Sequence, residues 1–198
     1  MTAVKSCFLT IITLLWISNS WGTNLFNDSI FARNSLIVST QVKPIDSTSV
    51  IEGFFWHTTK KMESGFIISY ERGIYSNKNW FSLHLGGDIA RWRGSSEEKL
   101  YLASLYLLPR LWLINSNNLG VFLHISAAGL TYMNRDNIDN KNLGSKFMFK
   151  DFVGIGLKIG KKPSLSLALN FIHYSNGDIF KVNPGFDCPG VISISVSC

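Results

Sequence analysis

Residues 170–187 read NFIHYSNGDIFKVNPGFD and hold the chain's best-spaced set of chemically capable side chains. His173 and Ser175 stand two apart, and Asn176 follows at once. A carboxylate, Asp187, comes after a segment containing the turn formers Asn183, Pro184 and Gly185. In a strand, residues i and i+2 project to the same side, so an imidazole at 173 can reach toward a hydroxyl at 175. A serine becomes a nucleophile when a neighbouring base takes its proton and a third group orients that base. The set thus offers Ser175 as nucleophile, His173 as base and Asp187 as the orienting acid, with Asp178 as the competing acid. No run of residues resembles a metal-binding cluster, and no nucleic-acid motif stands out.

A second pair with the same spacing, His124 and Ser126, provides a control. Around it Val121, Leu123, Ile125 and Ala127 form an apolar face, and the pair lies on the opposite face with Gly120 and Ala128. His84 and Asp88 likewise share a polar face with Ser82 and Gly86, which reads as a buried network rather than a catalytic site. His173 and Ser175 differ, because they share the parity of Leu165, Leu167, Leu169 and Phe171. They continue an apolar face, where a polar pair needs a reason.

Period-two alternation dominates the elements that must position these residues. VISISVSC at 191–198 puts Ile192, Ile194, Val196 and Cys198 on one face and serines on the other. The pattern predicts eight strands, at about 49–57, 65–75, 80–93, 100–114, 119–133, 147–159, 164–176 and 191–198. Short turns (SNKN, NSNN, GKKP) alternate with longer loops, the arrangement of an outer-membrane barrel. Several strands exceed the roughly 10 residues that cross a bilayer at a tilt. A secreted lipocalin-like barrel turned inside out would keep the same alternation, so pattern alone leaves that open. Trp56, Trp80, Trp92, Trp112 and Tyr132, near strand ends, resemble the aromatic girdles of a membrane barrel.

The chain opens with MTAVKSCFLTIITLLWISNSWG: a cation at Lys5, an apolar run from Cys7 to Ile17, then Ser20 and Gly22. That is the form of a secretory signal peptide over 1–22, and its apolar run falls short of the roughly 20 residues a membrane helix needs. Residues 23–48, which include SLIVSTQVKP, remain unassigned between an extra strand, an extension of the first strand and an arm. The barrel domain is expected over 49–198. Formal charge is +6, and +5 once Lys5 leaves with the leader, a modest excess that suits an anionic partner. Cys188 and Cys198 bound a strand-like segment of roughly 30 Å, whereas a disulfide needs Cα atoms within about 7 Å. No bridge between them is expected.

Eight strands place both termini on the periplasmic side, so the strand at 164–176 ends at the cell surface. His173 and Ser175 would face the outer leaflet, which in a Gram-negative outer membrane is lipopolysaccharide. The implied substrate is an ester within the membrane itself.

HYSNGDIFKVNPGFD closely resembles the active-site segment of the lipid A 3-O-deacylases, the PagL family, whose hallmark is His-x-Ser-Asn, then an Asn/Pro/Gly loop and an acidic residue. The likeness extends through LLPRLWL, GVFLHISAAGLTYM and FMFKDFVGIGLKIG, about half the chain. The resemblance implies an all-β, eight-stranded antiparallel barrel spanning the outer membrane several times. It implies hydrolysis of the acyl ester at position 3 of lipid A, with His173, Ser175 and Asp187 as triad, Asn176 at the oxyanion site, and neither metal nor cofactor. Phe171 would line the acyl chain. Lipopolysaccharide is then the partner, with no nucleic acid and with homodimerisation left open. Two departures stand out: Asp187 replaces the usual Glu, and Gly177-Asp178 replaces an Ala-Gly. A non-catalytic small barrel and a lipid A or phospholipid acyltransferase are the alternatives.

Overall fold

The computed structural model describes residues 34–42, 61–77, 80–116, 118–182 and 184–198. The strands are β1 (Asn34–Gln41), β2 (Ser64–Asn77), β3 (Phe81–Arg93), β4 (Lys99–Asn115), β5 (Leu119–Met133), β6 (Asn137–Ile138), β7 (Lys141–Asn142), β8 (Phe147–Ile159), β9 (Ser164–Ser175) and β10 (Phe186–Ser197). Eight of them close into one barrel, in the order β1-β10-β9-β8-β5-β4-β3-β2, and β6 and β7 form a small hairpin in the β5–β8 loop. Every barrel pairing is antiparallel.

Two ends of the expected strand map shift. The first barrel strand is Asn34–Gln41, inside the segment left unassigned. The strand expected at 49–57 lies outside the described residues, as do the signal peptide, Trp56 and His57. The chemistry of SLIVSTQ explains the choice: Ser35 and Ser39 point inward to meet Ser197 and Ser193 of β10, each pair at 2.8 Å. Leu36 and Val38 point outward. The last strand begins at Phe186, not at 191. Its ladder with β9 slips between Cys188 and Val191, and Gly190 adopts a positive φ of 69° there. That irregularity lets the strand pass Pro189, which cannot donate to a ladder.

Which face looks inward is now decided. Leu165, Leu167 and Leu169 are about half exposed, at 51%, 52% and 45%, and Ile89, Leu105, Leu130 and Ile155 are similar. Such a wall far exceeds the few hundred Å² of apolar patch that a soluble monomer exposes. Ser82, Ser104, Ser126, Ser164 and Ser166 of the same strands are buried and face the lumen. The barrel is a transmembrane one with its apolar side toward lipid, and the inverted, soluble arrangement is excluded. Trp80 and Tyr132 stand on this outer wall, but Trp92 and Trp112 point inward and are buried. The expected girdle is therefore thinner, because those two tryptophans serve the core.

The lumen is filled. Toward the long-loop end Trp92, Leu100, Met133, Met148, Tyr174 and Phe186 pack together. The Tyr174 and Phe186 rings stack at 4.7 Å. Below them lies a charged layer in which Lys150 pairs with Asp88, and Arg110 Nη2 donates to Glu71 Oε2 at 3.1 Å. Trp112 and Phe122 close the short-turn end. A cavity of about 50 Å³ remains among Glu71, Tyr106, Arg110, His124, Lys150 and Asn170. At roughly 10–15 Å³ for each water, it has room for a few waters and none for an acyl chain.

Candidate active site on the outer wall

The β8–β9 ladder runs without a shift from Phe149 opposite Ser175 to Ile159 opposite Leu165. Alternation is therefore unbroken through the functional stretch. Asn170 is tied to lumenal groups, and Ile172 and Tyr174 belong to the inner core. Phe171, His173 and Ser175 consequently project from the outer wall. This agrees with the face expected from the parity of the leucines.

Asp187 arrives by pairing rather than by a loop folding back. It sits directly across from His173 in the β9–β10 ladder, flanked by Phe186 and Cys188, which point into the core. Residues in register on adjacent strands have Cβ atoms only about 5 Å apart. That proximity lets a side chain as short as aspartate reach the imidazole. His173 Nδ1 and Asp187 Oδ1 meet at 2.7 Å. Both residues are buried, at 5% and 1% exposed. Part of that cover is a strut on the free edge of β10. Where β1 ends, Lys61 pairs with Asp187 in a parallel bridge, and Met62 donates its N–H to the Asp187 carbonyl at 2.9 Å. Gln41 Nε2 ties the strut down through the Met62 carbonyl at 2.8 Å.

Ser175 is the last residue of β9 and is partly exposed at the long-loop rim. Asn176 follows, fully buried, and its Nδ2 donates to the Val182 carbonyl at 2.6 Å. That bond braces the 177–182 loop. Asp178 lies beyond, exposed in the turn with a positive φ of 59°. Phe171 has outward parity but is only 6% exposed, so its ring is covered while the leucines below it are open.

Asp151 was not singled out from the sequence. It stands across from His173 on the β8 side, so the imidazole has a carboxylate residue on each neighbouring strand. Asp151 Oδ1 accepts the Ala128 N–H at 2.6 Å, at a bulge where Ala128 takes a positive φ of 57°. The signal was available, since Asp151 breaks the apolar parity of Phe149, Val153 and Ile155 as His173 breaks that of β9.

His84 and His124 behave as structural groups. His124 Nε2 meets Asn170 Oδ1 at 2.6 Å, and His84 Nε2 meets Ser82 Oγ at 3.0 Å, all within the lumen. Among the described residues, no group of three or more His, Cys, Asp or Glu could hold a metal ion. Cys188 and Cys198 are both free, the first buried and the second exposed.

Comparison with known proteins bears on this arrangement. Residues 64–192 match the family model described as lipid A 3-O-deacylase (PagL). A curated relative, the lipid A deacylase PagL of Bordetella bronchiseptica, is 30% identical over 115 residues. That match covers 55% of this chain and about 60% of the relative's length. A solved structure, the crystal structure of the outer membrane enzyme PagL, superposes with a TM-score of 0.51 at 16% identity. It covers 84% of this chain and 96% of that one, and it supports the fold.

Proposed function

Since the chain belongs to the lipid A 3-O-deacylase family, we propose that it is an outer-membrane serine esterase. It removes the ester-linked 3-hydroxyacyl chain at position 3 of lipid A. The observation that carries this reading is the buried His173–Asp187 hydrogen bond on the lipid side of the wall. A membrane barrel has no structural need for an ionisable pair there, because polar groups facing lipid are costly.

The chemistry follows from the atoms. Asp187 accepts the Nδ1–H of His173, which fixes the tautomer and leaves the Nε2 lone pair as base. Ser175 Oγ gives its proton to Nε2 and attacks the ester carbonyl. Asn176, which directly follows the nucleophile, supplies an N–H to the oxyanion. Collapse expels the 3-oxygen of the sugar, which takes the proton from Nε2. Water then attacks the acyl-enzyme by the same route and releases the 3-hydroxy fatty acid.

The filled lumen dictates the approach. A multi-chain glycolipid cannot enter a barrel filled by side chains, whose cavity beside Arg110 and His124 measures about 50 Å³. Its acyl chain instead lies along the outer wall over Leu165, Leu167 and Leu169, with Phe171 beneath the ester. Mass spectrometry of lipid A from cells with and without the protein tests the proposal. Loss of one 3-hydroxyacyl chain is expected. Gain of a chain would make the protein a transferase, and an unchanged profile would make it a non-catalytic barrel.

A further inference from the structure

The barrel carries a second feature at the level of His173, half-way round the wall. In the ladder β1-β10-β9-β8-β5-β4-β3-β2, the strands β3 and β4 lie opposite β9 and β10. At their long-loop ends Arg91 faces outward, between Phe66 of β2 and Tyr101 of β4. One step nearer the rim, Arg93 pairs with Lys99. Arg93 is engaged, by Glu97 at 2.9 Å and Ser64 at 3.0 Å. Arg91 and Lys99 are exposed, and among the described residues neither side chain has an ion-pair or hydrogen-bond partner.

These cations crown an apolar field. Ile89 and Tyr132 directly below are 60% and 61% exposed. Diagonal neighbours across a strand pair stand roughly 7–8 Å apart, so the long side chains of Arg91 and Lys99 can converge on one group. A guanidinium offers two parallel N–H bonds to a phosphate, an ammonium offers a point charge, and the Tyr101 hydroxyl can donate a third bond. Unpartnered cations at the headgroup level over an apolar wall fit a ligand that is anionic above and acylated below.

We infer that Arg91, Lys99 and Tyr101 hold a phosphate of a second, uncleaved lipid A molecule against the wall opposite the active site. The inference rests on the outer-membrane reading above, and it does not require that the barrel be catalytic. Its role is anchorage: a bound glycolipid at this wall seats the barrel in the lipopolysaccharide leaflet.

The test uses the full barrel in detergent, with Ser175→Ala to prevent turnover. Native mass spectrometry measures binding of bis-phosphorylated lipid A and of its dephosphorylated form. Adding Arg91→Gln and Lys99→Gln should weaken binding of the phosphorylated form at one site about tenfold or more, for the loss of two charge-assisted contacts. It should leave the dephosphorylated form unaffected. Arg91→Lys should retain most of the binding, and heat-modifiable migration in gels checks that each variant is folded. In the Ser175 background, Arg91→Gln with Lys99→Gln should hydrolyse detergent-dispersed lipid A at the parent rate. Unchanged binding would overturn the inference, as would equal competition by phosphatidylglycerol. Loss of turnover with binding intact would also overturn it, by moving the patch to the active site. If the parent protein cleaves nothing, the deacylase reading fails while the binding result still stands.

Discussion

His124 and Ser126 in β5 and His173 and Ser175 in β9 have the same spacing, and the barrel sends them to opposite sides of its wall. The lumenal pair is closed in. Its imidazole meets the Asn170 amide, and the free volume beside it is about 50 Å³. The wall pair faces lipid, and its imidazole meets a carboxylate. One residue of register separates the two environments. The lesson is that His-x-Ser acquires meaning from the face it occupies and from the group across the ladder.

The strongest way to break the comparison is at the serines. Ser175→Ala should lower release of 3-hydroxy fatty acid by roughly five to six orders of magnitude while the barrel still folds. Next comes the acid. Asp187→Ala should cost about 10⁴-fold in turnover, since the imidazole loses the partner that fixes its tautomer. Asp178→Ala, in its exposed turn, should leave the rate near that of the parent. If only Asp178 matters in such an assay, the acid has been misassigned.

The lumen should respond in stability instead. Asp88→Ala strands the Lys150 ammonium in the core and should destabilise the barrel by about 3–5 kcal/mol. Urea unfolding in lipid vesicles reads that cost, and the folded fraction should keep its normal specific activity. The smallest effect belongs to Ser126→Ala, at about 1 kcal/mol or less with turnover unchanged.

Much of this was legible in the sequence because the barrel wall repeats with period two. The leucines of β9 predicted the face of His173 and Ser175, and nothing interrupts that strand's pairing with β8. Two features were hidden, each for a reason. SLIVSTQ is short, and its role as β1 depends on closing the barrel against β10, a pairing over some 150 residues that local pattern does not encode. Asp187 read as a loop residue because Asn183, Pro184 and Gly185 precede it and Pro189-Gly190 follows it. Strand formation there depends on a register slip that single-sequence alternation treats as an end. Trp92 and Trp112 were placed in the girdle by position, but each has inward parity. Asp151 breaks the apolar parity of its own strand, but its place across from His173 depends on the β8–β9 register, which local pattern does not encode.

The central claim is that the nucleophile stands on the lipid side of the wall, and covalent labelling tests it most directly. The folded barrel, in vesicles, is treated with a lipid-soluble serine-reactive phosphonate, and the modified peptide is mapped by mass spectrometry. The account predicts a single label on Ser175, retained in Ser126→Ala and lost in His173→Ala. A label on Ser126, or labelling of Ser175 that persists without His173, would contradict it.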